Sequence, residues 1–238
     1  MCYTDVHSAC TEEHRLPPIE PKAHSSRQRV TFNRLTCICW APLNRLPGRY
    51  VSPSIILPGG GPEFGASDRK GNIFVNLEDK SALVKFDAKT LKIENTWPLA
   101  PCESPSGLAI DAEHEILIVG CHNKLMAFVD GNSGKVLGTV PIGQGVDANR
   151  FDPATGYAFA SCGDGTLTIA HEDSPTSFSA VETIQTQRGA RTMAIDYATH
   201  GVYLVTADLG PAPAATKDNP RPRPAIVPDT FTLLIYKK

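Results

Sequence analysis

Arg188 and Arg191 stand three residues apart, with Gly189 and Ala190 between them. Two planar guanidinium forks over so open a backbone could grip a carboxylate or a phosphate bidentately. The competing use of the pair is structural, in carbonyl contacts or an ion pair with Asp147. Glu63, Glu103 and Asp147 supply carboxylates for acid–base work, and His122 and Lys124 add titratable nitrogens. No nucleophile elbow, His-Glu-x-x-His or dinucleotide motif accompanies them. "GGGP" at 59–62 lacks a Gly-Lys-Ser/Thr ending and a following helix pattern, so it does not read as a phosphate loop.

The cysteines, at 2, 10, 37, 39, 102, 121 and 162, match no zinc template. Cys2, His7, Cys10 and His14 read as loose thiols and polar filler, and neither a metal nor a cofactor is expected. Cys121 and Cys162 each follow an Asp by ten residues, which makes them equivalent positions of a repeat. A facing thiol pair or a site with His122 is conceivable, but packed inert thiols are the expectation, because free Cys behaves as a small buried hydrophobe.

The repeat is what must position these groups. "DRKGNIFVNLEDKS" from Asp68 returns as "DAEHEILIVGCHNK" from Asp111, "DPATGYAFASCGDG" from Asp152 and "DYATHGVYLVTADL" from Asp196, at spacings of 43, 41 and 44 residues. Self-similarity at 40-odd residues marks blade-sized β units. One unit reads as four short strands, "GLAID", "ILIVGC", "KLMAFVD" and "KVLGTVPI", separated by polar turns. Asp suits the first position of such turns, and Gly or Asn supplies the left-handed residue. Second strands such as "NIFVNL" and "EILIVG" are nearly continuous in apolar residues, as strands buried on both faces are. The fold class is therefore all-β, a β-propeller of about four four-stranded blades.

"VPIGQGVDANRFDPATGYAFAS", "GVYLVT", "LVKFDAKTLKIENTWPL" and "LMAFVDGNSGKVLGTVPI" resemble the repeats of YncE-like, YVTN-family β-propellers, over residues ~51–238. The resemblance implies a typically seven-bladed scaffold, often exported, with ligands at the top face near the central channel. That face is built from inter-blade connections and from turns between second and third strands. It would carry Glu63, Glu103, His122, Lys124, Asp147, Arg188 and Arg191. "HEDS" (171–174) would lie on the opposite, bottom face as a solvated turn, and "PRPRP" (220–224) would stiffen a long top-face loop. The function implied is non-enzymatic binding of a protein or a small anionic ligand. The alternative is a lactonase-like propeller hydrolase using top-face carboxylates with Arg188 and Arg191.

Units lie near 64–97, 106–141, 146–186 and 191–236, with 53–57 an orphan strand and 1–50 an irregular segment. The last unit is one strand short. The orphan either closes a four-bladed ring by completing that unit, or is the tail of a further blade in a partial propeller; the partial propeller is favoured. It would leave the outer faces of the first and fourth units uncovered and open to self-association. Residues 1–50 carry seven Lys/Arg against four Asp/Glu, and the remainder 16 against 21. That balance argues against a nucleic-acid role. No stretch reaches the ~20 apolar residues of a membrane span. The start lacks a secretory signal pattern, so the sequence as written reads as cytoplasmic.

Overall fold

The structure, a computed structural model, describes residues 54–217, 219, 222 and 224–237. The segment expected to be irregular over 1–50, and Arg221 and Arg223 of the long loop, lie outside the described residues.

Among the described residues fifteen strands form four antiparallel sheets, each a simple meander. The first unit is β1 (Pro62–Ser67), β2 (Asn72–Leu77), β3 (Ala82–Asp87) and β4 (Ile93–Pro98); the second is β5 (Pro105–Asp111), β6 (Ile116–Cys121), β7 (Leu125–Asp130) and β8 (Val136–Pro141). The third is β9 (Val146–Asp152), β10 (Tyr157–Cys162), β11 (Thr166–Ser174) and β12 (Ser177–Gln185). The fourth has three strands, β13 (Thr192–Asp196), β14 (Gly201–Thr206) and β15 (Thr232–Tyr236).

The repeated Asp closes the turn after each inner strand. Asp68 Oδ1 accepts from the Lys70 and Asn72 amides at 2.7 and 2.9 Å. Asp111, Asp152 and Asp196 accept from the amides of Glu113, Ala154 and Ala198. Asp87 and Asp130 do the same after the third strands, to Thr90 at 2.6 Å and Asn132 at 2.7 Å. A carboxylate that pre-forms the bend lowers the entropy cost of each hairpin.

Strand β6, "ILIVGC", is buried along its whole length because units pack on both its faces. Leu117 and Val119 meet Phe74 and Leu83 of the first unit, while Ile116 and Ile118 meet Phe151 and Ala158 of the third. The third and fourth units share Phe159, Leu167, Met193, Val202 and Leu204. Fully burying one such side chain contributes roughly 1.5–3 kcal/mol. Outer strands β4 and β12 are largely exposed, although Phe178 of β12 reaches inward to stack on Phe128 at 3.9 Å between centroids.

The fifth residue of each of the first three second strands sets the approach of the next blade. Asn76 Nδ2 donates to the Ser106 and Gly107 carbonyls at 2.9 and 3.1 Å. Ser161 Oγ donates to the Arg191 carbonyl. In the second unit the position is Gly120, because the Asn149 amide of the third unit occupies the space; an added Cβ would also stand 2.6 Å from Val146 Cγ2.

Inner strands β1, β5, β9 and β13 pack in succession, and β13 makes no comparable contact with β1. The series is open. The orphan segment does not complete the fourth sheet. Instead Ile55 and Leu57 are buried on the outer face of the first unit, against Val75, Leu77, Val84 and Phe86. One of the two faces expected to be bare is therefore covered. On the fourth unit's far face Leu233 and Ile235 remain 52% and 54% exposed.

Candidate functional site

Glu63 and Asp147 are second residues of inner strands β1 and β9, and Arg191 immediately precedes β13. Arg191 Nε stands 3.8 Å from Asp147 Oδ1, and Thr192 Oγ1 donates to Asp147 Oδ2 at 3.2 Å. Partial desolvation, with help from the Glu78 and Asp147 carboxylates, holds the Glu63 carboxyl above its ordinary value; His122 and Arg191 pull it down. Groups from all four units thus share one electrostatic neighbourhood. Glu78, in a single 3-10 turn over Glu78–Lys80, is the member that sequence reading missed.

Three predicted residues have backbone roles. Glu103 serves through its backbone, its amide donating to Asn123 Oδ1 and its carbonyl accepting from His122. Lys124 is a left-handed turn residue, φ 65°, whose amide donates to the Cys121 carbonyl. Arg188 gives its carbonyl to Thr206 Oγ1. Among the described residues none of these three side chains forms an ion pair. Arg191 faces Asp147, the ion pair weighed against a two-arginine clamp.

Arg150 of β9 lies 5.9 Å over the Phe64 ring of β1 and donates to the Asn149 carbonyl at 2.7 Å. The Gly-rich loop before β1 does cradle an anion, but an internal one. Asp79 accepts from the Gly60 and Gly61 amides at 2.8 and 3.2 Å, which helps hold its carboxyl below the usual value.

The cysteine expectation needs correction. Cys121 is joined to Cys102 in a disulfide that ties the segment leading into β5 to the end of β6. Cys162 alone fits the packed-thiol reading. It is buried, and burial followed by the nearby Asp164 pushes its pKa up to about 12.

At the opposite end, "HEDS" is not a solvated turn. Register shifts between Ile169 and Ala170 and between Glu172 and Ser174 accompany a nine-residue β11, and Glu172 points inward, 9% exposed. It meets Asp111, last residue of β5, and His114 of the β5–β6 turn, with ligand-type atoms of all three within 4.8 Å of one another. Burial, then the Asp111 carboxylate, pushes Glu172 up to about 7. The hydrogen bond to Asp111 raises His114. One blade further on, His200 Nδ1 reaches Asp152 Oδ2 at 2.7 Å without a second carboxylate.

Four blade-like meanders packed through their inner strands define an open β-propeller. No family model matches the chain, and no curated protein does. A solved structure of hydrazine synthase from Kuenenia stuttgartiensis is similar, with a TM-score of 0.58 and 16% identity over 71% of this chain and 47% of that one. A chain of a mitotic checkpoint complex gives 0.49 and 16% over 56% and 43%. The protein spans less than half the length of either, and the first likeness shows a propeller fold alone.

Proposed function

We propose that this chain is a binding β-propeller scaffold of the YncE-like, YVTN-repeat kind, which holds a partner at the top face and does no chemistry there. The observation that carries this reading is the Arg191–Asp147 ion pair between the third and fourth units, with Glu63 of the first unit and His122 of the second in the same electrostatic neighbourhood. Carboxylates outnumber free cations there, because Arg191 already faces Asp147. Such a surface suits a polypeptide presenting a basic side chain better than a small free anion, since opposite potentials attract and register the partner. It also disfavours nucleic acid, whose phosphates need cations.

A lactonase-like hydrolase would need acid and base groups converging on one reacting atom. Among the described residues no hydrogen bond joins Glu63, Glu103 and Asp147, so that reading has less support. The Cys102–Cys121 bond supports residence in an oxidising compartment, in place of the cytoplasm that the sequence start suggested.

The test is binding of the full chain to an array of basic, acidic and neutral peptides, beside a panel of lactones. Basic peptides should bind, and the Glu63→Gln/Asp147→Asn double variant should weaken them about tenfold or more. Lactone turnover abolished by Asp147→Asn would replace this reading with the hydrolase.

A further inference from the structure

The geometry points to a divalent-cation site at the bottom of the propeller, formed by Asp111, His114 and Glu172 across the seam between the second and third units. The ion class is a first-row metal that accepts mixed oxygen and nitrogen donors, with Zn2+ the best fit. Such a site does not depend on any top-face partner.

The cluster holds two carboxylates against a single donor group. Glu172 is nine-tenths buried, and neither of its carboxylate oxygens has a well-aligned hydrogen-bond donor, His114 being the one group in reach among the described residues. His114 Nδ1 lies 2.5 Å from Asp111 Oδ2 and 3.1 Å from Glu172 Oε1. One imidazole N–H cannot serve both, and the shorter contact takes it. Asp111 is itself buried and spends its other oxygen on the Glu113 amide. Two carboxylates with one shared donor are thus enclosed where desolvation is costly.

The neighbouring seam is an internal control. There His200 faces Asp152 alone, and Thr155 Oγ1 also donates to that carboxylate at 2.8 Å. Every oxygen at issue there has a donor, so nothing calls for a cation. The long β11 adds a carboxylate at the Asp111 seam and no proton donor with it.

The donor set fits the ion. Zn2+ takes His nitrogen and Asp or Glu oxygen at about 2.0–2.2 Å, which puts neighbouring ligand atoms roughly 3.3 Å apart in a tetrahedral site. The contacts at 2.5 and 3.1 Å, and the outer limit of 4.8 Å, bracket that spacing. His114 is 45% exposed on its solvent side, which gives a path of entry and room for water as a further ligand. The ion would take the place of the shared proton and link the second unit to the third.

The test uses the full chain, stripped of metal by chelator dialysis, with Zn2+ uptake measured in competition with a chromogenic chelator. Cysteines near the N-terminus could also take Zn2+, so the decisive quantity is the difference between the protein and two variants. Glu172→Gln keeps the volume, and His114→Gln changes an exposed side chain. The protein should take up one more equivalent than either variant, with micromolar affinity. Zn2+ at about 100-fold over its Kd should raise its Tm by roughly 5–10 °C, a rise that neither variant shows. Equal uptake and equal Tm response in all three proteins would overturn the proposal. So would the absence of uptake by the unaltered protein at about 100 μM Zn2+. Should Glu172→Gln fail to fold, His114→Gln decides alone.

Discussion

The first and fourth units end the blade series in different ways. On the first, Ile55 and Leu57 lie across the outer face of β2 and β3 and bury a cluster with Val75, Leu77, Val84 and Phe86. On the fourth, β15 has no outer neighbour among the described residues, and Leu233 and Ile235 stand half exposed opposite Val205 and Tyr203. Both sheets come from the same repeat, so local sequence does not account for the contrast. A blade needs an apolar partner on each face, and four residues of irregular chain supply one at the first unit. Among the described residues the same requirement at the fourth unit is unmet.

Removing the cover should have the largest effect. Leu57→Asp puts a carboxylate against Leu77 and Val84, and we expect a loss of about 3–5 kcal/mol in chemical unfolding. Unfolding energetics unchanged by this substitution would mean that residues 54–57 do not stabilise the first blade. Next in size is an interior control that belongs to neither end. Gly120→Ala drives a methyl group into Asn149 and Val146 and should cost about 1–3 kcal/mol.

At the fourth unit the same kind of polar change should be nearly silent for stability. Leu233→Thr with Ile235→Thr is expected to shift unfolding by about 1 kcal/mol or less. Light scattering after size exclusion should nevertheless show less self-association, with a second copy the occupant lost. If the paired variant associates as the parent does, the open face is not where copies meet.

Acid should affect both ends alike, and least. At the first unit, burial raises the Asp68 carboxyl, but the hydrogen bonds from Asn72 and Lys70 prevail and leave it below the ordinary value. Thr199 and the Ala198 amide lower Asp196 at the fourth unit. A carboxyl lowered by folding contributes stability that is complete above its unfolded pKa, about 3.9, and lost as pH falls through the folded value. Tm should be flat for these groups from about pH 7 to 5 and decline below about pH 4. Asn at either position should remove part of that decline. A decline of unchanged size in both variants would assign it to other carboxylates.

The strands and turns were legible because their signals are local. "ILIVGC" advertises a strand covered on both sides, and each Asp sits where its carboxylate can reach an amide two residues ahead. What sequence could not give was which distant surfaces meet. "SPSIILPGG" reads as a strand whichever sheet it serves, so its place on the first unit and not beside β15 came from packing. Cys121 and Cys162 hold equivalent repeat positions, yet Cys121 pairs with Cys102 because the chain entering β5 passes beside it. Of the top-face set, the inner-strand positions Glu63 and Asp147 and the adjoining Arg191 share one neighbourhood with His122, while the connection and turn residues Glu103, Lys124 and Arg188 go their own ways. Glu172 was misplaced for the most physical of reasons. The polar run at 171–174 reads as a turn, yet β11 continues through Ser174, and its unbroken two-residue alternation carries Glu172 to the buried face with Ala170.

The burial of Cys162 bears on how the Cys102–Cys121 link survives once made. Disulfides reshuffle when a thiolate attacks one of their sulfurs. Cys162 stands at the repeat position that Cys121 occupies one blade earlier, and in a partly folded chain it would be the natural intruder. Packing of the third blade removes it from contest, because a thiol whose pKa is near 12 supplies almost no thiolate at neutral pH. Among the described cysteines, closure of one blade therefore protects the covalent bond of its neighbour from exchange.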